Sequence, residues 1–366
     1  MNSLKGLYLR HITFFNFIFL LCFLYLFLFS IELMGTSLKM LGQGLAETLI
    51  ATTSNPLVGL FVGILSTSIV QSSSFTTSIV VGLIAGGALN VPNAIPIIMG
   101  ANIGTSVTNI LVSLTQIRRS IEFELAFSAA IVHDFFNVLA VLVLFPLQYF
   151  TNFLGHIATF IGEKFQNIGG LKFLSPIKAS TQPLVEVLRE LIGDYPWILF
   201  TLSLFLLLIA LIRMVKSLKI LIVEKAEVWF DRYLFKNAFR AFFVGMVLTA
   251  LVQSSSITTS LAVPLAGAGV LTLVQIFPYT LGANIGTTVT AILAALVTGN
   301  LAAVTVAFSH LLFNLSGIVV WWPFKFVPIS LAEKFSGIAV RRKAIPLLYV
   351  IIVFFLIPIL LIFISK

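Results

Sequence analysis

The chain contains two short stretches of hydroxyl and amide side chains that could bind small ions. Residues 71–78 read QSSSFTTS, and residues 253–260 read QSSSITTS. Serine and threonine hydroxyls can donate to anion oxygens or present lone pairs to a cation, whereas a glutamine carbonyl only accepts and its amide only donates. Each stretch therefore offers ligands for both an anion and a small cation.

A second motif, G-A-N-I-G-T, also occurs twice, starting at Gly100 and at Gly282. Its glycines flank Asn102 or Asn284 and permit close approach of the backbone, and the final threonine adds another oxygen. The motif predicts a second broken or kinked helix in each copy. Close packing of two helices explains either copy alone equally well.

A third motif, H-x-x-F-N, contains His133 and Asn137 in one copy and His310 and Asn314 in the other. We interpret the histidines first as hydrogen-bonding groups that hold one helix to its neighbour, with ligand binding as the alternative. Asp134 follows the first histidine, but the second copy has leucine at that place. An ionisable residue in a membrane span is nevertheless a functional candidate.

The three motifs belong to an internal duplication. Shifting the sequence by 182 residues aligns the first two motifs without a gap, and residues 71–105 share 18 of 35 positions with residues 253–287. The third motif aligns at a shift of 177 residues. Duplication favours a binding role for Q-S-S-S over a helix cap or a helix contact, which would each explain a single copy.

The composition indicates an integral membrane protein. Of the 366 residues, 59% are hydrophobic and 10% are charged, with a mean hydropathy of +1.10, whereas soluble domains contain about 25% charged residues. The net charge is +9, and the lysines and arginines lie mostly in short loops between apolar segments. Basic residues in such loops orient membrane helices, which favours this role over nucleic-acid binding. The single cysteine, Cys22, excludes an intrachain disulfide. Residues 48–117 and 241–324 contain no charged side chain.

The distribution of lysine and arginine indicates that the two copies face opposite sides of the membrane. Residues 32–55, ahead of the first copy, hold one basic residue, whereas residues 213–240, ahead of the second, hold seven. After the units the bias reverses, since Arg118 and Arg119 follow the first copy and Thr298 and Gly299 stand at that place in the second. Basic residues mark the cytoplasmic ends of spans, and inverted repeats are a common plan of secondary transporters.

We therefore predict an all-α polytopic membrane protein with two inverted-topology repeats, each with a re-entrant helical hairpin and broken helices. The Q-S-S-S stretches would form the hairpin tips, where irregular backbone at membrane depth lines a cavity. The prediction treats residues 1–366 as a single membrane transport domain, with a cytoplasmic N-terminus, in the plasma (inner) membrane. Its parts are repeat 1 at approximately residues 12–146, an external segment at 147–195, repeat 2 at approximately 196–322 and a C-terminal helix at 345–364.

The paired Q-S-S-S and G-A-N-I-G-T motifs resemble the type II sodium-dependent phosphate cotransporters and their bacterial relatives, over roughly residues 56–140 and 238–322. The resemblance implies that two re-entrant hairpins bind sodium and phosphate between them, with sodium held by hydroxyl and carbonyl oxygens. The implied binding residues are Gln71, Ser72, Ser73, Ser74, Thr76, Thr77, Asn102, Thr105, Gln253, Ser254, Ser255, Ser256, Thr258, Thr259, Asn284 and Thr287, with His133, Asn137, His310 and Asn314 as supporting residues.

The resemblance also implies a compact bacterial-type member. The long external loop of animal members is reduced here to residues 147–195, which contain no N-x-S/T sequon, and the cytoplasmic regulatory domain of some bacterial members is not found after the repeats.

The predicted function is sodium-coupled symport of inorganic phosphate by alternating access, with sodium as the coupling ion, no other cofactor and the lipid bilayer as surroundings. The main alternative is transport of another oxyanion or small organic anion on the same fold. An intramembrane serine hydrolase is disfavoured because the G-x-S-x-G elbow is missing. A scaffold or a channel is the remaining alternative, and the oligomeric state is left open.

Overall fold

The computed structural model describes residues 2–41, 43–167, 175–193, 195–229 and 237–365. Every regular element in these ranges is helical, and seven segments of them are long and apolar enough to span a membrane. The predicted all-α polytopic fold is therefore confirmed, and the chain is a multi-pass membrane protein.

Seventeen α-helices follow one another along the described ranges. They are α1 (Asn2–Leu41), α2 (Gln43–Thr52), α3 (Pro56–Val70), α4 (Ser73–Ala85), α5 (Val91–Gly104), α6 (Ser106–Ser113), α7 (Ser120–Thr151), α8 (Phe153–Asn167), α9 (Ser175–Ile192), α10 (Pro196–Trp229), α11 (Ala238–Val252), α12 (Ser255–Gly267), α13 (Leu273–Thr298), α14 (Leu301–Trp321), α15 (Phe326–Arg341), α16 (Ile345–Tyr349) and α17 (Ile357–Ile364). A 3₁₀ turn (Leu114–Gln116) follows α6, and a π-helical segment (Val350–Leu356) joins α16 to α17.

Two hairpins of short helices occupy matching places in the two repeats. Helices α3 and α11 each have 15 residues, and α4 and α12 each have 13. A helix of 15 residues is about 22 Å long, which is shorter than the ~30 Å hydrocarbon core of a bilayer. Asn55 and Asn237 cap the first helix of each hairpin by accepting a backbone N–H two residues later. Each Q-S-S-S stretch lies where the two short helices meet; the re-entrant course and the inverted orientation stay predictions.

The G-A-N-I-G-T stretches lie within helical segments. Helix α13 is continuous through the second stretch. In the first copy α5 passes into α6 at Thr105, whose φ and ψ of −61° and −30° are those of a helix. The predicted break is thus absent from α13, whereas in the first copy Thr105 separates two helices without leaving helical dihedral angles, and a kink at either motif stays a prediction.

The glycines of this motif let two helices touch backbone to backbone. A Cβ atom on Gly100 in α5 would lie 1.9 Å from the carbonyl oxygen of Leu60 in α3. The second copy repeats the contact, with 1.8 Å between a Cβ on Gly282 in α13 and the carbonyl oxygen of Phe242 in α11. Since no side chain fits between these helices, the packing role of the motif explains its glycines.

We expect Gly100→Ala to destabilise the protein by at least about 1–3 kcal/mol, because the added methyl group must push α3 and α5 apart. Thermal unfolding of the purified protein measures the effect. Gly35→Ala is the matched control, since its Cβ would have no neighbour closer than 3.8 Å. Equal melting temperatures for the two variants would contradict the close packing.

The two helices that carry H-x-x-F-N, α7 and α14, make contacts that link the two halves of the chain. Helix α7 packs against α15, which follows α14 in the chain. Helix α14 packs against α8, which follows α7. Helices α7 and α14 also contact one another, and both contact α5 and α13. This arrangement brings the second and third motifs of both copies together in the centre of the molecule.

Candidate functional site

Each hairpin tip is a tight turn with a glutamine in the left-handed region. Gln71 has φ 56° and Gln253 has φ 57°, and each ends the first helix of its hairpin. The next residue, Ser72 or Ser254, caps the second helix, because its hydroxyl oxygen accepts the backbone N–H three residues later. Positive φ is costly for a side chain other than glycine, and such strain often marks a functional position.

Threonine pairs hold the two helices of each hairpin together next to the tip. The hydroxyls of Thr67 and Thr76 lie 2.9 Å apart, and those of Thr249 and Thr258 lie 2.6 Å apart. The sequence analysis named Thr76 and Thr258 but not Thr67 and Thr249. The signal that could have found them is the 182-residue shift, which aligns Thr67 with Thr249 four residues before each Q-S-S-S stretch.

The two tips contact one another through reciprocal hydrogen bonds. The Ser74 hydroxyl donates to the carbonyl oxygen of Gln253 at 2.9 Å, and the Ser256 hydroxyl donates to that of Gln71 at 3.4 Å. The structure therefore brings together the two Q-S-S-S stretches, which are separated by 182 residues in the sequence.

Several polar groups at the tips have no partner within the described part of the chain. The hydroxyls of Ser73 and Ser255 form no hydrogen bond there, although both residues are buried, at 3% exposure. The side-chain oxygen of Gln253 is likewise buried without a hydrogen-bond partner in these ranges. The first amides of α4 and α12 also lack intrahelical acceptors. The tips thus offer free donors and a free acceptor in a buried setting.

Four further threonine hydroxyls from the predicted site donate hydrogen bonds within the described chain, those of Thr77, Thr105, Thr259 and Thr287. Thr105 and Thr287 each donate to the carbonyl four residues earlier, at 3.0 Å. Thr77 donates to the carbonyl oxygen of Ser74 at 3.3 Å. All four retain lone pairs that could face a cation.

Asn102 links the second motif of repeat 1 to the third motif of repeat 2. Its amide nitrogen donates to Asn314 at 2.7 Å, and its oxygen lies 3.1 Å from Nε2 of His310. Because an amide oxygen can only accept, His310 donates from Nε2. All three side chains are at most 4% exposed.

Asn284 makes the mirrored connection from repeat 2 to repeat 1. Its amide nitrogen donates to Asn137 at 2.8 Å, and its oxygen lies 2.7 Å from Nε2 of His133. Asn137 also donates to the carbonyl oxygen of Asn102 at 2.9 Å. We call the six residues Asn102, His133, Asn137, Asn284, His310 and Asn314 the Asn–His lattice, and its hydrogen bonds join the two repeats.

Repeat 1 extends the lattice to a hairpin tip through Asn109, which the sequence analysis missed. Its amide nitrogen donates to Nδ1 of His133 at 3.2 Å, and its oxygen accepts from the Thr259 hydroxyl at 3.0 Å. The matching residue in repeat 2 is Ala291, and Nδ1 of His310 is buried without a partner in the described ranges. Within the described ranges, Asn109 therefore links His133 of the lattice to the second hairpin, and no such link starts from Nδ1 of His310.

Asp134 lies apart from the tips but is fully buried. The Tyr349 hydroxyl, on the C-terminal span, donates to Oδ2 of Asp134. Oδ1 has no hydrogen-bond partner in the described part of the chain. Repeat 2 has leucine in place of this carboxylate, so the interior of the protein is not symmetric in charge.

Comparison with known proteins identifies related sequences. Residues 26–172 and 206–323 match the family described as Na+/Pi-cotransporter, which is more than half of the chain. The chain is 34% identical to "Sodium-dependent phosphate transport protein 2B" of Homo sapiens over 93% of its own length and 64% of that protein's. It is 34% identical to "Sodium-dependent phosphate transport protein 2A" of Mus musculus, over 93% of its own length and 66% of that protein's. The chain thus spans a little under two thirds of the length of these relatives, and no solved structure matches it significantly.

Proposed function

Because the chain belongs to the Na+/Pi-cotransporter family, we propose that it is a sodium-coupled symporter of inorganic phosphate that works by alternating access. Anion and sodium bind at the two Q-S-S-S tips in this proposal. The observation that supports it most directly is the contact between the tips, each of which carries one serine hydroxyl without a partner in the described ranges. Membership of a cotransporter family also agrees with the prediction that the chain is not an enzyme.

The tips suit an anion although no lysine or arginine lies in residues 48–117 or 241–324. Burying an anion costs several kcal/mol unless donors and counter-charges compensate. The helix N-termini that begin at Ser73 and Ser255 supply free amides and a positive dipole end. The hydroxyls of the same two serines add donors that no other described residue uses. In the proposal, phosphate oxygens accept from these groups.

Sodium supplies the positive charge that the tips lack. A hard cation binds oxygen ligands, and the buried side-chain oxygen of Gln253 is such a ligand without a partner in the described ranges. Threonine lone pairs from Thr76, Thr77, Thr258 and Thr259 are the other proposed sodium ligands. Since the co-bound cation lowers the cost of burying phosphate, each ion promotes binding of the other, which couples the sodium gradient to transport.

The two tips differ in exposure. In a transporter that works by alternating access, the binding site is open to only one side of the membrane in any one state. Gln71 is exposed, whereas Gln253 is 6% exposed. Two inverted repeats can exchange their conformations, so that the buried tip of one state becomes the exposed tip of the other. The Asn–His lattice would hold both repeats together during this exchange and keep Asn102 and Asn284 next to the tips.

Labelled phosphate uptake into proteoliposomes tests the proposal. We expect uptake with an inward sodium gradient and none with an equal potassium gradient. Competition by unlabelled arsenate or sulfate tests whether another oxyanion is the better substrate. Uptake that does not depend on sodium would overturn the coupled mechanism, and downhill flux at channel rates would support a channel.

Gln71→Gly and Gln253→Gly separate backbone strain from ligand binding. Glycine adopts the positive φ of these positions freely, so we expect Gln71→Gly to gain about 1 kcal/mol of stability. Gln253→Gly should gain less, because it also loses the hydrogen bond from the Gln253 amide to the carbonyl oxygen of Ala250. Loss of the glutamine side chain should nevertheless lower sodium-dependent uptake, and raise the sodium concentration needed for half-maximal uptake in Gln253→Gly. Asn152→Gly is the control, because Asn152 also has positive φ but lies at the end of α7. Normal sodium dependence in Gln253→Gly would exclude that side chain as a sodium ligand.

A further inference from the structure

A cleft between α1 and α10 shares no lining residue with the hairpin tips. It has a volume of about 210 Å³. Its lining residues are Asn16, Phe19, Phe23, Arg213, Lys216 and Ser217. The cleft forms where the start of the span Phe15–Leu41 packs beside the end of the span Pro196–Met214.

Two cationic side chains line this cleft. Arg213 and Lys216 are both exposed, and neither forms an ion pair within the described part of the chain. They lie about one helical turn apart on the same face of α10. Two like charges this close repel one another, so an anion between them would be stabilised.

A serine hydroxyl adds a neutral donor to the same cleft. Ser217 is 5% exposed and lines the cavity, and its hydroxyl forms no hydrogen bond in the described ranges. A ligand oxygen in the cleft would satisfy it, together with the two cations.

The surroundings of the cleft indicate which source of anion fits. Basic residues at the end of a span lie at the level of the lipid headgroups. Phe19 and Phe23 form part of the cleft wall, and the neighbouring Phe15, Phe17 and Phe19 are 51–56% exposed. An anion that also carries an apolar tail can use both the cations and this aromatic surface, whereas free phosphate can use only the cations.

We propose that the cleft between α1 and α10 binds the headgroup of an anionic phospholipid. The phosphodiester lies against Arg213 and Lys216 and accepts a hydrogen bond from Ser217, and the acyl chains run along the phenylalanines of α1. Basic pockets between membrane helices bind anionic headgroups in this way. The site does not overlap the proposed transport site, so its failure would leave the transport proposal untouched.

Thermal unfolding in the presence of lipid tests the site. The purified protein is titrated with phosphatidylglycerol, with phosphatidylcholine as the neutral lipid, and the midpoint of the rise in melting temperature is measured. Each basic residue contributes about fivefold to binding at an anionic surface, so we expect Arg213→Gln with Lys216→Gln to require roughly thirtyfold more phosphatidylglycerol. Ser217→Ala should require about fivefold more.

A second pair of cations serves as the matched control. Arg341 and Lys343 are exposed and flank the span Ile345–Ile364, and replacing both by glutamine should leave the midpoint unchanged. Equal midpoints in wild type and in the Arg213/Lys216 variant would overturn the proposal, as would an equal loss in the control variant. Inorganic phosphate forms the third arm: if the Arg213/Lys216 variant loses stabilisation by inorganic phosphate but keeps that by phosphatidylglycerol, the cleft binds free phosphate and the proposal is wrong.

Discussion

Replacing Ser73 or Ser255 by alanine is expected to remove most sodium-dependent phosphate uptake while the protein folds and inserts normally. Both serines are buried residues at the tips, and their hydroxyls form no hydrogen bond within the described chain, so the loss of these hydroxyls breaks no observed hydrogen bond. A hydrogen bond to a charged ligand contributes about 1.5–3 kcal/mol, which corresponds to about a tenfold to 150-fold loss of affinity. The measurement is initial uptake into proteoliposomes as a function of phosphate and sodium concentration.

The control for these variants lies on the same helix as Ser255. Ser260 in α12 donates its hydroxyl to the carbonyl oxygen of Ile257 at 2.9 Å, so Ser260→Ala removes a hydroxyl that already has a partner. We expect near-normal uptake in this variant. Wild-type kinetics in both Ser73→Ala and Ser255→Ala would show that the free hydroxyls do not bind a transported ion, and the proposed site would have to move.

The duplication made the tips predictable from the sequence. Pro56 is the first residue of α3, and Gly86 and Gly87 follow the end of α4, so the first hairpin begins and ends at residue types that commonly start or stop a helix. The repeated Q-S-S-S stretch indicated the position of each tip, because polar side chains at membrane depth are tolerated where they are buried in protein or line a cavity. Which serine would cap a helix, and which would be left free, depends on the turn geometry, which the sequence does not show.

The role of G-A-N-I-G-T was harder to predict because glycine has two uses in a helix. It permits a break, and it permits another backbone to approach. Only the position of Leu60 beside Gly100 decides between them. The hydrogen-bond partners of the Asn102 and Asn284 side chains are 147–212 residues away in the sequence, so they follow from tertiary packing and not from any local pattern.

Asn284→Ala is expected to destabilise the joint between the repeats. The substitution leaves the Nε2 proton of His133 and the side-chain oxygen of Asn137 without the partner they have in the structure, and both residues are at most 1% exposed. Each buried unsatisfied group costs about 1–3 kcal/mol in soluble proteins and about 0.6–2 kcal/mol between membrane helices. We therefore expect a loss of about 1–4 kcal/mol, measured by reversible unfolding in detergent, and a matching fall in uptake.

A double-mutant cycle distinguishes a joint between repeats from a general loss of packing. Asn284→Ala and Asn137→Ala remove the two ends of one hydrogen bond, so their effects should be less than additive, with a coupling of about 0.5–1.5 kcal/mol. Asn93→Ala is the matched control: its amide donates to Ile50 and Thr53 inside repeat 1, and its effect should add to that of Asn137→Ala. Full additivity of Asn284→Ala with Asn137→Ala would mean that the lattice does not connect the repeats energetically. A measured coupling would mean that the hydrogen bond between Asn284 and Asn137 stabilises the contact between the two repeats. A transporter whose two halves exchange conformations needs such a contact, because the halves must move without separating.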